Sequence, residues 1–111
     1  MPSTTTYNFG DIILIGFPHT DLQGVSKRPG VVLYDAGDQD ILVARVTTQA
    51  YATEADYKVI DWKKCGLLTE SYIRAGKQAT IEKQYIVRKL GTLSISEIQN
   101  LKAILKRILS L

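Results

Sequence analysis

Arg28 stands directly before Pro29, with Lys27 on its other side, in the stretch Gly24-Val25-Ser26-Lys27-Arg28-Pro29. A guanidinium is planar, always charged and shaped to meet two phosphate oxygens at once. Proline fixes its own φ and biases the residue before it toward extended geometry. Arg28 is therefore held at the start of a strand and loses little further freedom on meeting an anion. Thr47, Thr48 and Gln49 close a second stretch, Arg45-Val46-Thr47-Thr48-Gln49. A hydroxyl donates to a phosphate oxygen while accepting from a neighbour. Successive strand residues point to opposite faces, so Thr47 and Thr48 are alternatives, exchanged by a register one residue off. Gln49 suits either a hydrogen bond to a base or a role in holding the loop. Arg74 and Lys77 add two cations further on, and His19 supplies an imidazole that titrates near neutrality. This set binds and stabilises an anion. With one His and one Cys, Cys65, the chain has no credible transition-metal site, and no motif suggests a magnesium cage, so no cofactor is expected.

Each residue also has an ordinary structural reading. Arg28 suits a surface pair with a loop acid such as Asp21, and such pairs are common and weak. Thr47 suits a strand as β-branched filler. Arg74 fits a surface cation, and His19 a loop position. Tyr51, Tyr57 and Trp62 suit base stacking, but aromatic residues more often fill a core or an interface.

The elements that must position these groups are short. At 111 residues and 45% hydrophobic content, the chain suits one globular domain, 1–111, with one core. No apolar run reaches membrane-span length, and the N-terminal residues lack the blocks of a secretory signal. One cysteine permits no internal disulfide, which points to a reducing, cytoplasmic setting. The net charge of +3 is unevenly spread: residues 1–59 carry −3 and residues 60–111 carry +6. A basic face attracts a polyanion such as RNA, although charge alone equally fits a solvated surface.

Residues 10–17 read as a buried strand, 18–28 as a polar loop, 30–34 and 41–48 as strands, and 57–62 as a fourth. Two further strands are expected at 71–76 and 79–83, around a bend at Gly76-Lys77. From Ser94 the pattern turns helical. Ser94 and Glu97 have capping-box spacing, and Ile98, Leu101, Leu105 and Ile108 form an apolar stripe. Five or six strands and a terminal helix predict a small, mainly β barrel with a helix packed on it.

In their order and spacing, several landmarks resemble the MazF/PemK/Kid toxin endoribonucleases of type II toxin–antitoxin pairs. They are Gly10-Asp11-Ile12-Ile13-Leu14 running into Phe17-Pro18; Lys27-Arg28-Pro29 leading into Gly30-Val31-Val32-Leu33; and Arg45-Val46-Thr47-Thr48-Gln49. Gly66-Leu67-Leu68, Ser71-Tyr72-Ile73-Arg74, Ala79-Thr80-Ile81 and Leu90-Gly91 follow. The resemblance spans residues 9 to 110. It implies an SH3-like barrel, a homodimer, metal-independent cleavage of single-stranded RNA, and a MazE/PemI-like antitoxin that covers the active groove. It also implies that Arg28, Thr47 and Arg74 are catalytic; Lys27, Thr48, Gln49, Lys77 and His19 are candidate substrate contacts on their own chemistry, and at His19 the family usually has no catalytic residue. Some members carry an acidic proton carrier two residues after the arginine that Arg74 matches; here that position is Gly76.

RNA cleaves itself when its 2′-hydroxyl attacks the adjacent phosphorus. The enzyme must then chiefly hold the added negative charge, which preorganised cations and donors do. Two other readings stay open from sequence: a CcdB-like gyrase-poisoning toxin, which needs neither Arg28 nor Thr47, and a non-catalytic SH3-like binding module.

Overall fold

The computed structural model of the chain describes residues 5–18 and 25–111. Strands β1 (Asp11–Pro18), β2 (Val25–Asp35), β3 (Asp40–Thr47), β4 (Asp56–Lys58), β5 (Tyr72–Glu82) and β6 (Ile86–Thr92) precede one helix, α1 (Ile95–Ile108). All pairings are antiparallel, in the order β4-β5-β3-β2-β1-β6. The expectation of a mainly β fold with a C-terminal helix is met.

Both faces of the sheet carry a core, which is why its central strands read as near-continuous β-branched runs rather than a clean alternation. On one face Ile12, Val31, Ala44, Val46 and Ile73 pack with Val59, Cys65 and Leu67 and with Leu101 of α1. On the other, Ile13, Ile15, Val32, Ile41 and Val43 form a smaller cluster with Tyr7, Ile81 and Ile86. Ile12 and Ile13 are wholly inaccessible; burying such a side chain contributes roughly 1.5–3 kcal/mol. The helix covers only the first face, so the second has room for a site.

Ser94 caps α1, its hydroxyl accepting from the Glu97 amide at 3.3 Å. The return half of the capping box is not made. The buried Glu97 carboxylate instead accepts from the Tyr57 hydroxyl at 2.9 Å and from the Ile60 and Asp61 amides at 2.6 and 3.3 Å. One helix residue thus ties α1 to the segment after β4. Burial, and then the Glu97 carboxylate, push the Tyr57 hydroxyl up to about 12. Gly66, at φ +87, lets the following segment turn against β6; a side chain there would run into the Leu90 carbonyl.

Several element boundaries differ from expectation. Residues 25–28 are strand rather than loop, with Ser26, Lys27 and Arg28 opposite Phe17, Gly16 and Ile15. Backbone ladder bonds extend the hairpin past the apolar run without needing apolar side chains. The expected strands at 71–76 and 79–83 are one strand, interrupted by a bulge. The fourth strand is only Asp56–Lys58, and β6 was not anticipated. Residues 19–24, with His19, Asp21 and the middle of the expected loop at 18–28, lie outside the described residues. Among the described residues, no helix is long and apolar enough to cross a membrane.

Candidate active site

The register of three adjacent strands assembles the site. Gly30 of β2 pairs with Arg45 of β3, and Arg45 pairs with Arg74 of β5. The β2–β3 ladder reaches as far as Gly30 and Arg45; Arg28 and Thr47 each lie two residues beyond that pair on their own strands, where Arg28 pairs with Ile15 and Thr47 with Tyr72. Alternation then puts Arg28, Arg45, Thr47 and Arg74 on one face. It is the face of Ile15 and Val43, left uncovered by α1.

Thr47 Oγ1 accepts from the Gln49 amide at 3.2 Å. One lone pair is thereby engaged, and the hydroxyl proton is left to donate outward. The Gln49 side chain accepts from the Tyr51 hydroxyl at 3.2 Å. The Tyr51 ring in turn lies under Arg74, whose guanidinium carbon is 3.7 Å from the ring centroid. Arg74 Nε donates to Asp56 Oδ1 at 3.1 Å. Asp56 also accepts from the Thr53 amide and hydroxyl, at 3.0 and 2.6 Å. Burial works against the Asp56 carboxylate, but the Thr53 and Arg74 hydrogen bonds outweigh it and hold its carboxyl below the usual range. A connected chain of contacts thus runs from Thr47 through Gln49, Tyr51 and Arg74 to Asp56.

On β5 the register jumps: Arg74 faces Arg45, yet Gln78 faces the adjacent Ala44. Residues 75–77 bulge out, braced by Ala75 N–H to the Ala55 carbonyl at 2.8 Å and Gln78 Nε2 to the Ala75 carbonyl at 2.9 Å. A bulge re-aims side chains, and this one brings Lys77 to the groove that Arg28 and Arg45 also line, about 470 Å³ in volume. Ile15, Gly30 and Ala79 contribute to its walls. Among the described residues no carboxylate or imidazole lines it, and Arg28, Arg45 and Lys77 have no ion-pair partner.

Lys27 and Thr48 fall elsewhere. They line a different depression with Arg88 and Leu68, on the opposite side of the sheet from Arg28 and Thr47. His19 lies outside the described residues. Cys65 is buried, and burial followed by the Glu97 carboxylate raises its thiol pKa, so it is no ready nucleophile. No group of three or more His, Cys, Asp or Glu side chains among the described residues is placed to hold a metal ion. Sequence reasoning missed Arg45, Tyr51 as a partner of Arg74, and Asp56. Only Arg45 left a signal, since alternation along 41–47 gives it the face of Thr47.

The model of the family described as the PemK-like, MazF-like toxin of type II toxin–antitoxin systems matches residues 8–109. The chain belongs to this family. Solved structures similar to this PemK/MazF-like chain include the Mycobacterium tuberculosis toxin MazF-mt6, 21% identical with TM-score 0.72, over 91% of this chain and 97% of that one. The MazE–MazF complex of Deinococcus radiodurans is 14% identical with TM-score 0.75, over 96% and 99%. A mycobacterial endoribonuclease in complex with its cognate antitoxin is 14% identical with TM-score 0.73, over 93% and 94%. At these identities the likeness is one of fold. No curated protein sequence matches.

Proposed function

We propose that this PemK/MazF-like chain is an endoribonuclease toxin that cuts single-stranded RNA in the cytoplasm. The observation that carries this reading is the placement of Arg28 and Thr47 on the same uncovered sheet face, each two residues beyond the Gly30–Arg45 pair, beside a groove that no carboxylate lines among the described residues. The 2′-oxygen attacks phosphorus as its proton passes to solvent. The bond from phosphorus to the 5′-oxygen breaks, and that oxygen leaves as a hydroxyl after taking up a proton. The guanidinium of Arg28 holds the charge that builds on the phosphoryl oxygens, and the Thr47 hydroxyl donates to one of them. An arginine is a poor base at its usual pKa, so its role is charge stabilisation. Arg74, fixed by Asp56 and Tyr51, adds a further cation on the same face. The products are a 2′,3′-cyclic phosphate and a 5′-hydroxyl. Residues 1–111 act as one domain and work as a homodimer, and a cognate MazE/PemI-like antitoxin covers the groove.

The test is incubation of purified protein with a long single-stranded RNA in excess EDTA. Cleavage to 5′-hydroxyl fragments, abolished by 2′-deoxy substitution at the cut nucleotide, is expected. Folded protein that leaves the RNA intact overturns the reading in favour of a toxin or module that acts by binding alone.

A further inference from the structure

We propose that Arg45 and Lys77 form a second phosphate subsite, holding the phosphate next to the one between Arg28 and Thr47. This rests on the ribonuclease reading and names how the same groove takes its strand.

Arg45 sits directly opposite Arg74. Like charges facing one another across an antiparallel pair are destabilising. Asp56 compensates Arg74, but nothing among the described residues compensates Arg45, which is exposed on the same groove as Arg28. A cation kept at such a position calls for an anion from outside the chain. The bulge at 75–77 supplies Lys77 to the same groove, so two cations from different strands converge there.

The placement separates this subsite from the reacting phosphate. Gly30 is the direct partner of Arg45 and Arg28 lies two residues along the same strand, a diagonal spacing of about 7–8 Å in a regular ladder, somewhat less between Cβ atoms. Two long side chains at that separation reach two successive phosphates of one strand. Gly30 keeps the floor between them low, since a Cβ there would stand 2.8 Å from Ile15 Cδ1. Phosphate contacts position a strand without reading its sequence. The subsite therefore sets affinity and salt dependence, and leaves the cleavage sequence to base contacts.

The test measures binding of an uncleavable 2′-O-methyl RNA heptamer to the full chain over a range of KCl concentrations. It is run for wild type, Arg45→Ala, Lys77→Ala, Arg45→Lys and, as a charge-matched control on the other face, Lys102→Ala. Arg45→Ala should weaken binding on the order of tenfold at low salt and flatten the slope of log K against log salt by about 0.7, the share of one phosphate on a single strand. Lys77→Ala should act in the same direction, Arg45→Lys should keep the slope, and Lys102→Ala should leave it unchanged. An unchanged slope, or a slope loss shared by Lys102→Ala, would overturn the subsite. Wild type that cleaves RNA while Arg45→Ala binds as tightly removes the subsite alone. Arg45-dependent binding by a protein that never cuts removes the ribonuclease reading alone.

Discussion

Arg74 is gripped from two sides, its Nε 3.1 Å from Asp56 Oδ1 and its guanidinium carbon 3.7 Å from the Tyr51 ring centroid. Stacking and a single charge-assisted bond leave the remaining N–H edge of the fork to act on a ligand. Asp56 and Tyr51 each contact Arg74 directly, so their role is to position the arginine.

Asp56→Asn should therefore lower turnover about tenfold, on the scale of residues sharing one network. Arg74→Ala should also lower it, and the double variant should be little worse than Arg74→Ala alone. Single-turnover cleavage measures all three. A double variant that multiplies the two losses would show that Asp56 acts independently of Arg74.

Gly76 occupies the place where some family members carry an acid. A Cβ there meets only the Ala55 Cβ, at an ordinary 3.5 Å, so the position accepts a side chain. Gly76→Asp should fold with an unchanged melting temperature and add an ionisation to the acid limb of the pH–rate profile that wild type lacks. Superimposable profiles would mean that a carboxylate on the bulge cannot take part in proton transfer.

Asp35, at the end of β2, has a wholly buried side chain paired with Lys83 at 2.8 Å and accepts from the Tyr7 and Gly37 amides, each at 2.8 Å. Burial opposes its charge, but these partners prevail and its carboxyl titrates below the usual range. A carboxylate with a depressed folded pKa adds stability that is fully present above its unfolded pKa and lost as pH falls through the folded one. Urea unfolding should thus give a stability plateau from neutral pH down to about 5 and a decline at lower pH. The decline should be shallower in Asp35→Asn. A slope identical to wild type would contradict this assignment.

Much of the architecture is legible in the residue pattern. The β-branched runs at 10–17 and 41–48 mark β1 and β3, and Ser94 with the apolar stripe behind it marks α1. What stayed hidden has physical causes. Ile86–Thr92 lies at the end of the strand order and is buried at few positions, so its composition carries no strand period. Gly76 reads as a bend because a bulge and a turn use the same residue types. Lys27 and Arg28 read as loop because their strand is held by backbone pairing alone. That Arg28 and Thr47 share one face depends on inter-strand register, which residue types on two separate segments do not encode locally. Glu97 looked like a capping-box partner, yet three donors on the 57–61 segment outcompete the single amide at Ser94.

A double-mutant cycle on Arg28 and Thr47 addresses the shared phosphate most directly. Arg28→Ala should lower single-turnover cleavage by a factor of ~10²–10³, and Thr47→Ala by less. If both groups hold one phosphate, the double variant will lose much less than the product of the two factors. Losses that simply multiply, or an Arg28→Ala variant as fast as wild type, would mean that the two side chains do not act on the same phosphate.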